Sequence, residues 1–136
     1  MKKINKILQK NKSFIFEINI YHQELIFVYG NLNQAVEKIR PKVLHELQEQ
    51  FDSTIKEIQS IEYRGVYNSR HPFRIIHIPQ KNKMSDFISV LAHEALHCTF
   101  ELLDYRGIKP GSKSEEAYTH LLDHIMEIII KKIFKK

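Results

Sequence analysis

The sequence has almost no cysteine and no long apolar run. Its one cysteine, Cys98, excludes an internal disulfide and is compatible with a reducing compartment. No apolar run reaches the ~18 residues that a membrane-spanning helix needs. The apolar letters near the basic N-terminus, INKIL, are too short for a signal peptide, and QKNK follows them. These absences lead us to expect a soluble cytoplasmic protein.

The chain also has no internal repeat, no low-complexity linker and no shift in composition that would mark a domain boundary. We therefore expect residues 1–136 to form a single domain. The formal net charge is +5, and lysine is concentrated at both ends, in KKINKILQKNK and KKIFKK. Such blocks are usually solvated tails, so neither a nucleic acid nor a membrane is the expected partner.

Strand patterns come before the strongest helical patterns. Alternating or continuous apolar residues predict strands at four places: 14–21, 24–30, 61–68 and 73–79. Asn31 opens a helical pattern that Pro41 should kink or divide. Two long helical patterns follow the last strand. This order predicts the α+β class, with a small mixed sheet packed on the two late helices.

The first late helix contains the letters LAHEALHC. Ser85 is suited to cap its N-terminus, and Gly107 supplies a left-handed residue at its end. At helical spacing, one broad arc is apolar and comprises Leu91, Ala92, Ala95, Leu96, Thr99, Leu102 and Leu103. His93 and His97 lie together on the opposite side, with Glu94 beside them.

This arrangement of two histidines and a glutamate is that of a zinc site. Two imidazoles one helical turn apart, His93 and His97, can bind one ion, and Glu94 can hold a water on it. The plainer alternative is a pair of exposed histidines on a solvated helix face. A catalytic tetrahedral site needs three protein ligands and one open position, so a third ligand should occur elsewhere in the sequence.

The second late helix offers that ligand. Ser112 and Glu115 have the spacing of a capping box, which would leave Glu116 free to bind metal. Helix ends are uncertain by a residue or two, so Glu115 stays open as the alternative. Eighteen residues separate His97 from Glu116, enough for one helix to end and a second to return. Three further polar residues share the Glu116 face: His120, Asp123 and Glu127.

HEALH followed by SEEAYTHLL resembles the gluzincin type of zincin metallopeptidase. The resemblance covers residues 85–130 well and is closest to small zincin-like proteins of phages and bacteria, more distantly to the ImmA/IrrE metallopeptidases. It implies a minimal zincin-like fold, zinc bound by His93, His97 and Glu116, and Glu94 as the general base. The metzincin pattern fails because Phe100 stands at its glycine and Leu103 at its third histidine.

A zinc-dependent metallopeptidase acting on an intracellular protein or peptide is therefore the expected function. His120, one turn beyond Glu116, is a candidate donor to the developing oxyanion or an orienting partner for a ligand. We expect residues 61–68 to be the strand edge that receives substrate, because Gly65 permits a close backbone approach. The alternative is a non-catalytic zincin-fold binding or regulatory protein, phage-encoded, whose metal site is structural or vestigial.

Overall fold

The computed structural model describes residues 6–18 and 21–135 and has a mixed α+β fold. Its four-stranded sheet consists of β1 (Lys12–Ile18), β2 (Gln23–Tyr29), β3 (Val66–Arg70) and β4 (Phe73–Ile78). The spatial order is β1-β2-β4-β3, so β1 and β3 are the edges. β1 pairs with β2 and β3 with β4 in antiparallel fashion, whereas β2 and β4 run parallel, which makes the sheet mixed as the sequence predicts.

The two central strands are apolar on both sides because helices cover both faces of the sheet. In β2, Phe27 contributes to the core on one face and Val28 to the core on the other. In β4, Ile76 packs in the same core as Phe27, and Ile75 packs in the same core as Val28. A strand buried on both faces reads as a continuous apolar run, which is the pattern of ELIFVY and FRIIHI.

Two of the four predicted strands, 24–30 and 73–79, match the structure to within one residue at each end. The strand predicted at 14–21 is β1, although residues 19–20 lie outside the described part and Tyr21 is not in the strand. The prediction for 61–68 is wrong in its first half, because the strand begins only at Val66 and continues to Arg70. Residues 61–65 instead form an irregular segment that leads into β3.

The predicted early helix is divided at Pro41, as expected. Asn31 caps α1 (Leu32–Val36) by accepting a hydrogen bond from the backbone N–H of Gln34, 3.0 Å away. Two short 3₁₀ turns, Arg40–Lys42 and His45–Leu47, then lead into α2 (Gln48–Gln59). Proline lacks a backbone N–H and its ring clashes with the preceding turn, so α1 cannot continue into α2. Both helices pack on the sheet face opposite the two late helices.

The two late helices are α3 (Met84–Tyr105) and α4 (Glu115–Ile133), which pack on each other. Gly107 has φ +75° and ends α3 as expected. The predicted cap Ser85 is wrong, because α3 begins at Met84 after Lys83. The predicted capping box of Ser112 and Glu115 is wrong too, because the residue that precedes α4 is Ser114. The backbone N–H of Ser114 closes a turn at this point. In the described part of the chain, no helix combines the length and apolarity needed to cross a membrane.

Candidate metal centre

His93 and His97 face each other on the exposed side of α3. Their Nε2 atoms are 3.2 Å apart and their ring centroids 4.8 Å apart, with the rings nearly perpendicular. One helical turn separates the two residues, so their side chains project from the same stripe. Both rings are exposed, and nothing in the described structure covers the pair from outside. The predicted histidine pair is therefore brought together.

The separation of these nitrogens fits a zinc ion. Zinc binds imidazole nitrogen at ~2.0–2.1 Å with tetrahedral angles, which places two such nitrogens about 3.3–3.4 Å apart. The observed distance of 3.2 Å between His93 Nε2 and His97 Nε2 lies close to this value. Together with a Glu94 oxygen, these atoms form a group whose members all lie within 4.8 Å of one another. The donor set of two imidazoles and a carboxylate is one that zinc accepts.

Glu94 is the buried member of the group. Glu94 is 6 % exposed, and one of its carboxylate oxygens lies 4.0 Å from His93 Nε2. In the described residues, no hydrogen-bond donor reaches this carboxylate within bonding distance. The carboxylate lines the cavity described below, so a ligand, water or ion can contact it there. The sequence predicts Glu94 beside the histidines, and it has no signal for the burial of this residue.

Gly65 explains how Glu94 comes to be buried. The backbone of Gly65 crosses α3 so closely that an added Cβ would overlap the Val90 side chain and lie 3.3 Å from Glu94 Cγ. Only glycine lacks the atom that would collide there. The sequence predicts that Gly65 permits the approach of a substrate backbone, whereas in the structure Gly65 lies outside β3 and permits the close approach of α3.

A cavity of about 250 Å³ opens at this crossing. Its wall is formed by six residues: Arg64, Gly65, Ser89, Val90, His93 and Glu94. Arg64 and Ser89 were not among the predicted site residues. Ser89 stands one turn before His93, so helical spacing alone could have identified it. Arg64 belongs to a distant segment, and no pattern in the sequence indicates that it reaches α3.

Glu101 ties the edge strand to the helix that carries the histidines. One of its carboxylate oxygens accepts hydrogen bonds from Tyr67 Oη at 3.1 Å, Ser69 Oγ at 2.6 Å and Arg74 Nε at 3.2 Å. Tyr67 and Ser69 belong to β3, and Glu101 follows His97 by one helical turn. A carboxylate with three donors, one of them charged, is a firm attachment. It fixes β3 relative to the candidate centre.

Cys98 and His77 are both buried, and their surroundings indicate structural roles. Burial raises the pKa of the Cys98 thiol to about 12, so the thiol is protonated at neutral pH and is a poor metal ligand. Cys98 is fully buried and belongs to the core between the sheet and the two late helices. His77 is also buried, and both ring nitrogens are engaged, Nε2 with the Gly30 carbonyl at 2.8 Å and Nδ1 with Tyr63 Oη at 2.5 Å.

Glu116 and His120 lie outside the compact group. Their side chains contact each other, with Glu116 Oε2 3.1 Å from His120 Nε2, and both are largely exposed. Glu115 is exposed as well. The two helices do meet near these residues, because the rings of Phe100 and Tyr118 pack with centroids 5.2 Å apart. The third ligand therefore stays a prediction, as does the role of His120.

Comparison with known proteins does not identify a relative. Scans against protein-family models, curated proteins and solved structures each found no match to this chain. Any assignment of function therefore depends on the residues of the site and their geometry.

Proposed function

We propose that this protein is a zinc-dependent metallopeptidase of the gluzincin type, acting on a protein or peptide in the cytoplasm. In this proposal His93, His97 and Glu116 hold the zinc ion, and Glu94 is the general base. Glu115 is the alternative third ligand, one residue away at the start of α4.

The arrangement of His93, His97 and Glu94 is the observation that carries the proposal. The two Nε2 atoms lie 3.2 Å apart beside a carboxylate that is 6 % exposed and lines a cavity. An ordinary pair of surface histidines has no need of a buried carboxylate next to it. A carboxylate that lines a cavity beside two imidazoles is placed to act on a bound water.

The roles of the residues follow from their places on the cavity wall. When bound, zinc supplies a polarised water with a pKa near ~7. Glu94 accepts a proton on its carboxylate as water attacks the peptide carbonyl, and it returns that proton to the leaving nitrogen. Arg64, on the same wall, adds positive charge near the carbonyl oxygen. We retain His120 as the predicted donor from α4.

Substrate would run along β3, the sheet edge beside α3. The outer side of this strand has no further strand paired to it among the described residues, so its backbone groups can receive an extended peptide. The Glu101 contacts hold Tyr67 and Ser69 of β3 in fixed register with the histidines. A peptide added there would pass the cavity that contains Glu94.

A second candidate is a non-catalytic protein whose metal site is structural. It is favoured by one observation: Glu94 and the two histidines already form a group within 4.8 Å, without any contribution from α4. In that case Glu94 binds the metal directly and no position is reserved for an activated water. The two candidates assign Glu94 different partners, so they can be distinguished.

Digestion of a peptide library tests the proposal. Zinc-loaded protein is incubated with peptides from a cytoplasmic proteome, and new termini are counted by mass spectrometry. We expect termini that a chelator abolishes and that zinc restores. Their absence from a sample with a full complement of bound zinc would contradict the proposal and favour the structural candidate. The variant Arg64→Ala, which leaves the proposed ligands in place, should cleave more slowly while keeping its zinc.

A further inference from the structure

Lysines from both ends of the chain meet on one surface. Lys12, at the start of β1, donates from Nζ to the carbonyls of Lys132 at 2.9 Å and Ile133 at 3.1 Å, at the C-terminus of α4. The Lys132 ammonium lies over the Phe14 ring, 5.3 Å from its centroid. These contacts join the first strand to the last helix. Lys12, near one end of the described chain, and Lys132, near the other, are therefore neighbours in the structure.

Three further lysines carry charge toward the same place. The positive charges of Lys38, Lys10 and Lys135 reinforce the effect of burial in lowering the pKa of Lys12. Lys38 lies just beyond α1, which is tied to β1 by a hydrogen bond from Ser13 Oγ to the Ala35 carbonyl, 2.5 Å long. We define the terminal lysine patch as Lys10, Lys12, Lys38, Lys132 and Lys135.

Carboxylates do not neutralise this patch. Within residues 6–18 and 21–135, none of its five lysines forms an ion pair with an acidic side chain. The nearby acidic residues pair with other cations: Glu37 contacts Arg40 and Glu127 contacts Lys131. Among the described residues, positive charge therefore accumulates here without an acidic side chain paired to it.

We propose that the terminal lysine patch binds the phosphate backbone of a nucleic acid, at a surface separate from the candidate metal centre. Regularly spaced phosphates can meet several neighbouring ammonium groups at once, and binding releases the counterions of the nucleic acid. Lysines contacting phosphate carry no base code, so binding is independent of sequence. About 24 Å of helix separate Glu116 from Lys132, so the patch is remote from the proposed zinc ligands.

A nucleic acid fits this patch better than a lipid surface does. Proteins that lie on membranes combine basic residues with apolar side chains that insert among the lipids. The large exposed apolar residues lie in other parts of the fold: Leu44, Ile61, Leu96, Phe100 and Tyr105. Phe14 and Phe134, which neighbour the lysines, are partly buried and pack against the core. Among the described residues, the patch thus has no large apolar side chain that is fully available for insertion into a lipid layer.

Binding of a fluorescein-labelled short DNA duplex tests the proposal. Fluorescence anisotropy is measured for the wild type and for a variant in which three exposed patch lysines are replaced together: Lys10→Ala, Lys38→Ala and Lys135→Ala. Lys12 is left intact because it caps α4. At ~50 mM salt the variant should bind at least about tenfold more weakly, and its slope of log K against log salt should be shallower by about 3.

A matched variant removes the same charge elsewhere. Its three exposed lysines lie outside the patch: Lys56→Ala, Lys109→Ala and Lys113→Ala. This variant should bind the duplex nearly as well as the wild type. Equal losses in both variants would show that net charge alone attracts DNA, and would overturn the proposal. So would the absence of duplex binding, including the case in which the protein binds phosphatidylserine vesicles instead.

Discussion

Gly65 lies directly against the side chain of Glu94, so that a methyl group added at Gly65 would sit 3.3 Å from Glu94 Cγ and would overlap Val90. This contact brings an irregular segment after α2 onto the helix that carries both histidines. It also forms the wall of the cavity next to Glu94. The position of the proposed base thus depends on a residue far from it in sequence.

Replacing Gly65 by alanine should therefore disturb the site and the fold together. Overpacking of this kind typically costs about 1–3 kcal/mol, which urea unfolding can measure. Gly111→Ala is the matched control, because nothing lies within 4 Å of a Cβ at Gly111. The control should change the free energy of unfolding by less than about 0.5 kcal/mol. Equal stability of the two variants would contradict the close contact at Gly65.

The role of Glu94 can be separated from metal binding. Glu94→Gln keeps the shape of the side chain and removes its basic oxygen, so zinc content should be retained. Cleavage of a substrate from the library digest should fall by about 10²-fold or more, the usual loss for a general base. Full activity in the variant would exclude Glu94 as the base. Loss of zinc instead would make Glu94 a ligand and support the structural candidate.

The third ligand can be identified with paired variants of α4. Glu116→Ala should weaken zinc binding by more than the ~10–100-fold typical of losing an outer partner of a ligand. Glu115→Ala should leave zinc affinity unchanged and cost only about 0.3–1 kcal/mol, from its interaction with the helix dipole. Isothermal titration with zinc measures both affinities. The reverse pattern would assign the ligand to Glu115.

His77 should make the fold sensitive to mild acid. Burial, the main cause, lowers the pKa of His77 below its ordinary value of ~6.5, so the unfolded chain takes up a proton more readily than the folded one. The contribution of neutral His77 to the free energy of unfolding is fully present above the ordinary pKa of ~6.5. It is lost as the pH falls from there toward the lowered pKa of the folded state. The free energy of unfolding from urea titrations should thus decrease from about pH 7 to pH 5.

The variant His77→Gln is the control for this effect. It removes the titrating ring at the contact with Gly30 and Tyr63. Its free energy of unfolding, although lower overall, should depend less on pH across the same interval. An identical pH dependence in wild type and variant would assign the acid sensitivity to other groups.

Local patterns in the sequence predict the elements of this fold well. ELIFVY and FRIIHI indicate buried strands because they are apolar without interruption, and both are central in the sheet. Pro41 and Gly107 predict ends of helices because proline and glycine restrict or extend the allowed backbone angles. The histidine pair follows from helical spacing alone. Each of these predictions depends on residues that are close together along the chain.

The sequence does not predict the contacts between segments that are far apart along the chain. The burial of Glu94 requires Gly65, the fixing of β3 requires Glu101, and the lysine patch requires both ends of the chain. Such contacts depend on how complete elements pack, and a single sequence has no local signal for them. The cap predicted at Ser85 fails because the helix begins one residue earlier, at Met84, with Lys83 at the cap position and no side-chain capping hydrogen bond.

Zinc binding by the purified protein is the most direct test of the central claim that His93 and His97 form a metal site. Protein stripped by a chelator is titrated with zinc, and bound metal is counted by elemental analysis. The wild type should take up one zinc ion per chain, and the double variant His93→Ala, His97→Ala should take up none while remaining folded. A wild type that binds no zinc, or a double variant that binds it equally well, would contradict the claim.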